Sequence, residues 1–211
     1  SGKTLSGFLP SLLDLAASDH DGIHTLYISP LKALATDIER NLMRPVTEMS
    51  LPITIESRTG DTPQSKRTRQ RTKPPHILLT TPESFELMLG WPDASSLFAT
   101  IKTIIIDEIH ALSGTKRGDL LSLSLAKCRQ ASPGARAIGL SATVANPERF
   151  SSLLSNSPKN VTIIQPQIHK EIHISMLETE AELPWSGHSA HYALPEIYQV
   201  IQTHTKSLIF V

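Results

Sequence analysis

Near the start of the chain, Gly2-Lys3-Thr4 has the residue types and spacing to hold a polyphosphate. The three residues are the tail of the pattern G-x-x-x-x-G-K-[ST]. In that pattern backbone N–H groups cradle phosphates, the lysine reaches the β and γ oxygens, and the hydroxyl ligates Mg²⁺. The helix expected from about Leu5 would turn its positive end toward the same anion, and Ser1 joins the set as a neighbour of the loop. A second group, Asp107-Glu108-Ile109-His110, follows the apolar run Thr103-Ile104-Ile105-Ile106. An aspartate there can hold Mg²⁺ through water, and the next glutamate can polarise the attacking water. Two acids at a strand end can also be simple caps. Placed downstream of a Lys-Thr phosphate loop, they point to ATP hydrolysis. A third group, Ser141-Ala142-Thr143, ends another apolar run. Its hydroxyls would bond neighbouring loops, or form a turn that caps a helix over 146–154.

These groups need elements to carry them. Short apolar, β-branched runs at 24–29, 53–58, 76–81, 103–107, 135–140 and 161–165 read as strands. Helical stripes lie between them: Leu31, Leu34, Ile38 and Leu42 share one face, as do Leu121, Leu125 and Cys128. Strands alternating with helices predict an α/β fold, a mostly parallel sheet with helices on both faces built from right-handed crossovers. The run over 103–106 is continuously apolar, as a strand covered on both faces should be. In such sheets ligands bind beyond the carboxyl ends of the strands, where all three groups fall. The rhythm changes after Gln165. Residues 171–177 read as one more extended segment, and 178–192 as a linker. Leu194, Ile197, Tyr198 and Ile201 restart a helical stripe with Pro195 in its first turn, and 207–211 reads as a buried-type strand.

The 211 residues carry 20 Lys+Arg against 20 Asp+Glu, with 39% hydrophobic residues and one cysteine. Such a chain can bury a real core, so general disorder is excluded. One cysteine excludes a disulfide framework and any Cys-rich metal site, and it fits a reducing, cytoplasmic setting. No apolar run approaches the ~18–20 residues that a membrane helix requires. Zero net charge supplies no overall basic field to attract nucleic acid. Both ends look cut, one inside a phosphate loop and the other inside an apolar run, so the chain reads as a fragment.

Taken together, the chain resembles the first RecA-like lobe of a superfamily 2 helicase of the DExH type. Gly2-Lys3-Thr4 resembles motif I, Asp107-Glu108-Ile109-His110 motif II and Ser141-Ala142-Thr143 motif III. Tyr27 through Leu34 resembles motif Ia, Thr80-Thr81-Pro82-Glu83-Ser84 motif Ib, and 207–211 the strand of motif IV. Arg58-Thr59-Gly60-Asp61-Thr62-Pro63, Pro74-Pro75 and Leu183-Pro184-Trp185-Ser186-Gly187-His188-Ser189 extend the likeness to the Lhr (large helicase-related) family. Within it, the ligase-associated DEXH-box subgroup is most similar. The resemblance implies a first RecA-like lobe over 1–165, lacking its first strand, an inter-lobe segment over 166–192 and the start of a second lobe over 193–211. It also implies ATP and Mg²⁺ as cofactors, with Thr4 and Asp107 toward the metal, Glu108 activating water and an arginine finger from the second lobe. His110 would couple the nucleotide site to that lobe, with Ser141, Ala142 and Thr143 as coupling residues. Pro30, Lys32, Arg58, Thr59, Gly60, Thr81, Pro82 and Glu83 would hold the backbone of a single-stranded or partly duplex nucleic acid, DNA favoured, with a DNA-repair ligase or nuclease as partner.

Other residues keep plainer readings beside the functional ones. The basic run Lys66, Arg67, Arg69, Arg71 and Lys73 is a phosphate track or a solvated helix face. Lys32 could be a solvated lysine, Pro82 a structural first-turn proline and Cys128 a core residue. Trp91 and Trp185 are base-stacking rings or hydrophobic plugs, and the histidines after residue 165 lack ligand-like clustering. The leading expectation is an ATP-dependent helicase or translocase. An ATP-gated binding scaffold without turnover and an RNA-directed DExH helicase stand as alternatives.

Overall fold

The computed structural model of the protein describes residues 2–142, 144–155, 157–165, 173–178 and 190–210. The chain divides into two units, Ser1–Ile164 and Gln165–Val211. In the first unit, strands β1 (Thr25–Ile28), β2 (Ile55–Arg58), β3 (Ile77–Thr80), β4 (Thr103–Ile106) and β5 (Arg136–Gly139) form one sheet in the order β2-β3-β1-β4-β5. Every pairing is parallel. The helices of this unit are α1 (Lys3–Ala17), α2 (Lys32–Glu48), α3 (Gln64–Thr72), α4 (Pro82–Leu89), α5 (Ala94–Leu97), α6 (Ile109–Leu112), α7 (Lys116–Ala131) and α8 (Ser151–Leu154).

Alternation along the three inner strands builds two cores from runs that are apolar throughout. Leu26, Ile28, Leu78, Ile104 and Ile106 face one way, onto Phe85 and Met88 of α4 and Leu121, Leu125 and Cys128 of α7. Tyr27, Leu79 and Ile105 face the other way, onto Phe8 and Leu12 of α1 and Ala35, Ile38 and Leu42 of α2. Burial of each such isoleucine or leucine contributes about 1.5–3 kcal/mol, and β1, β3 and β4 are each buried at every position. Cys128 is fully buried, and that burial pushes its thiol up to about 11, as a core residue rather than a reactive one.

Three segments expected to be strands are not: 161–165, the described part of 171–177, and 207–210 lie outside the sheet without ladder partners. Ile174 and Met176 are 92% exposed and Phe210 is 87% exposed. An apolar alternation becomes a strand only where another strand pairs with it, and among the described residues no strand pairs with these segments. The helical stripe of the second unit is present as α9 (Leu194–Thr203), with Pro195 in its first turn. The expected helix over 146–154 forms as a 3₁₀ turn, Pro147–Phe150, running into α8. Ser1, Thr143, Trp185 and most of 166–192 lie outside the described residues. No helix among the described residues is long and apolar enough to cross a membrane.

At the amino end of the sheet His20 and His24 meet edge to face, with ring centroids 4.9 Å apart. His24 Nε2 lies 3.9 Å from Asp14, and His24 is 3% exposed. Burial lowers both imidazoles below their ordinary value. The unfolded chain therefore binds these protons first, and stability declines as pH falls from 6.5 through the lower folded values. The thermal midpoint should drop between pH 7.5 and 5.5, and less steeply in a His24→Gln variant. Parallel melting curves for the two proteins would refute this assignment.

Candidate nucleotide and nucleic-acid site

The parallel register sets the carboxyl ends of the strands level. Ile28 pairs with both Thr80 and Ile106, Ile106 with Gly139, and Arg58 with Thr80. The ladder continues past β4, because the Asp107 N–H donates to the Ile28 carbonyl at 2.9 Å. Past β5, the Leu140 N–H donates to Ile106 at 2.8 Å and the Ile109 N–H donates to Leu140 at 3.0 Å. Residues 107–109 and 140–142 are thus held side by side by backbone alone.

Asp107 is 7% exposed, with a donor on each carboxylate oxygen. Tyr27 donates its hydroxyl to Oδ2 at 2.5 Å, and the Glu108 N–H donates to Oδ1 at 2.9 Å. Glu108 sits in the left-handed backbone region at φ 47, ψ 42, immediately before α6. That conformation costs a residue with a Cβ roughly 1–2 kcal/mol, and strain of this kind clusters at functional sites. His110 Nδ1 lies 3.2 Å from Glu108 Oε2 and 3.4 Å from both the Ser141 hydroxyl and the Ala142 N–H. Carrying the proton, this nitrogen donates to Glu108; without it, it accepts from Ala142. The tautomer thus decides which of the two groups it binds. Lys3 Nζ donates to the Ser141 carbonyl at 2.7 Å, so an incoming phosphate must draw the lysine off that loop.

Residues of the first and second expected groups therefore meet those of the third in one hydrogen-bonded cluster. Thr4 follows Lys3 at the start of α1 and is half-buried. The donors on hand are hydroxyl and carboxylate oxygens, which fit Mg²⁺, a cation usually held by one or two such groups with waters and substrate phosphates.

A second row of candidates lies along the same edge. Lys32 pairs with Asp61, 3.0 Å from both carboxylate oxygens. A Cβ on Gly60 would stand 3.2 Å from the Lys32 ammonium, so glycine leaves this approach open. Arg67 shapes the loop beneath, donating to the carbonyls of Thr62 at 2.8 Å, Thr59 at 3.1 Å and Gly60 at 2.5 Å. Arg58 is buried, donates to the Arg67 carbonyl at 2.9 Å and lies 4.5 Å over the ring of Trp91. Desolvation, then repulsion from Arg67, lowers its guanidinium to about 10. Together Arg58, Gly60, Arg67, Ser84, Met88 and Trp91 contribute to lining a cleft of about 300 Å³. The Thr81 hydroxyl caps α4 by accepting from the Ser84 N–H, with Pro82 in the first turn. Glu83 is engaged by Arg117 Nε at 2.6 Å, and the same guanidinium donates to the Pro30 carbonyl at 2.9 Å. Arg117 thereby ties the segment after β1 to the segment after β3.

Most of the basic run on α3 is locally paired: Lys66 with Glu39, Arg69 with Glu56 and Arg71 with Asp93. Trp91 carries Arg71 as well as Arg58, 5.1 Å and 4.5 Å from its ring centre, and so serves as a platform for guanidinium groups. The structure adds Arg117 to the candidate site and gives Tyr27 and Arg67, already singled out, their partners. Arg117 and Glu83 are 34 positions apart, and nothing local in either segment signals the pairing.

The sequence matches the DEAD/DEAH box helicase family over residues 1–150. The chain belongs to that family. Along its whole length this helicase chain is 38% identical to an Lhr helicase and probable uracil glycosylase from Mycolicibacterium smegmatis, of which it spans 15%. It is 37% identical, again along its whole length, to the ATP-dependent helicase Lhr-Core of Methanothermobacter thermautotrophicus, of which it spans 27%. Among solved structures, helicase Lhr of Mycobacterium smegmatis bound to ssDNA and AMP-PNP superposes with a TM-score of 0.66 at 45% identity, over 74% of this chain and 21% of that one. Mss116p bound to ssRNA and AMP-PNP shares the fold at a TM-score of 0.65, over 74% of this chain and 32% of that one, but is 17% identical.

The helicase chain sets Arg117 in place through the residue after it. A Cβ on Gly118 would run into the Leu112 carbonyl, and the Gly118 N–H is capped by the Thr115 hydroxyl at 3.1 Å. Gly118→Ala should cost about 1–3 kcal/mol in urea unfolding, the usual penalty for overpacking. A midpoint equal to the parent's would show that the start of α7 yields freely.

Proposed function

We propose that the chain is the nucleotide-binding part of an Lhr-type helicase or translocase, in which ATP hydrolysis drives movement along a single strand, DNA favoured over RNA. The observation that carries this reading is the hydrogen-bonded cluster at the carboxyl edge of the sheet, where Lys3, Asp107, Glu108, His110, Ser141 and Ala142 converge. The ssDNA and AMP-PNP bound in the solved Lhr structure support the choice of ligands. Residues 1–165 form the first RecA-like lobe in this reading, 166–192 the inter-lobe segment and 193–211 the start of the second lobe. A role in DNA repair, beside a ligase or nuclease partner, belongs to the same proposal.

Gly2, Lys3 and the start of α1, with Ser1 before them, receive the ATP phosphates. Thr4 and Asp107 are the residues that hold Mg²⁺, the latter through water, and a bound Mg²⁺ supplies charge neutralisation on the phosphate oxygens. Glu108 accepts a proton from the attacking water, and His110 orients the Glu108 carboxylate. Lys32, Arg58, Thr59, Gly60 and Thr81 present polar side chains, backbone N–H groups and cations to the strand, with Pro30 and Pro82 shaping the turns that carry them, while Glu83 acts through Arg117. Contacts of this kind grip a phosphate backbone without reading sequence. When ATP pulls Lys3 away from Ser141, Ser141, Ala142 and Thr143 are freed to respond, which couples the two rows.

The test is the nucleic-acid-stimulated ATPase of the intact protein beside Glu108→Gln. The variant should bind ATP and lose roughly 10²–10⁴ in turnover, the usual contribution of a positioned acid–base group. Single-stranded DNA should stimulate the parent more than RNA of the same length. Undiminished turnover in the variant would remove Glu108 from its role, and equal stimulation would remove the preference for DNA.

A further inference from the structure

Tyr27 is fully buried, yet its hydroxyl reaches into the nucleotide cluster. It lies in the middle of β1, the central strand, on the face that meets α1, and its ring stands 5.2 Å from that of Phe8. A buried phenol needs a hydrogen-bond partner, and here it is Asp107 Oδ2 at 2.5 Å, across 80 residues of sequence. The other oxygen, Oδ1, takes the Glu108 N–H. One donor on each oxygen fixes the rotation of the carboxylate about its last bond. Its remaining lone pairs stay free for waters or a cation.

We propose that Tyr27 is a positioning residue that sets the orientation of the Asp107 carboxylate for metal binding and joins it mechanically to α1 and β1. The proposal rests on the reading of Asp107 as the residue toward Mg²⁺. Three parts of the motor meet on this one ring. Phe8 brings the helix that follows the phosphate loop, Asp107 brings the metal site, and β1 runs on within three residues to Pro30, where the strand-holding segment begins. A phenylalanine would keep the packing and lose only the hydroxyl, leaving Oδ2 with no donor and the carboxylate free to turn. Supporting groups of this kind around a metal ligand are worth roughly 10–100-fold in metal affinity or activity.

In the intact protein, Tyr27→Phe should raise the Mg²⁺ concentration for half-maximal ATP hydrolysis by roughly 10-fold or more, with nucleotide affinity in EDTA equal to the parent's. A second readout needs no metal: urea unfolding in EDTA of Tyr27→Phe, Asp107→Ala and the double variant. If the hydroxyl serves Asp107, the two losses are non-additive, because either substitution already breaks the bond. A lowered unfolding midpoint with unchanged Mg²⁺ dependence and additive losses would make Tyr27 a core residue and overturn the proposal. Should Asp107→Ala itself leave the Mg²⁺ dependence unchanged, the metal assignment beneath the proposal is what fails. The unfolding cycle then still shows whether the bond exists.

Discussion

The parallel ladder that holds β1 between β3 and β4 is the constraint on which the rest depends. Because all five strands run the same way and in step, the residues that follow each one emerge along a single edge. The Asp107 N–H on Ile28 and the Ile109 N–H on Leu140 extend the ladder into the loops. Backbone amides and carbonyls, whose geometry no side-chain substitution removes, thus place the acids beside the loop after β5. Both cores press on the same inner strands, so these loops leave a rigid base.

Charge within this edge is spent on internal order as much as on ligands. Lys32 engages Asp61, Glu83 engages Arg117, and Arg67 turns its donors onto three carbonyls of its own loop. Exposed pairs of this sort contribute under about 1 kcal/mol each, so their value lies in orientation more than in stability. They leave a loop at 59–62 whose shape is set by contacts within the chain. Neutrality of the whole chain is therefore compatible with a nucleic-acid edge, since the relevant quantity is which donors remain free along one row.

Sequence reading found those parts of the site in which residue type and position speak together. Asp107 and Glu108 were legible because three isoleucines ahead of them could only be a covered strand, and Lys3 because it stands in a phosphate-loop tail. Long-range pairings were not legible. Tyr27 was visible as a strand residue, but its bond to Asp107 depends on register between β1 and β4, and Arg117 depends on where α7 starts. The same limit explains the segments 161–165, 173–178 and 207–210, whose apolar pattern reads as strand while no neighbour supplies the ladder. The basic run on α3 read as either of two things, and the acids that answer most of it lie on other elements, at Glu39, Glu56 and Asp93.

The left-handed backbone at Glu108 has a consequence for anyone evolving this fold. A glycine or asparagine there relaxes the main chain, so a library sorted for heat resistance will enrich such replacements. Each removes the carboxylate beside His110, so the sort discards the Glu108–His110 contact without registering its loss. Backbone ease and that contact pull this single codon in opposite directions. A selection meant to harden the fold keeps that contact only if position 108 is held fixed.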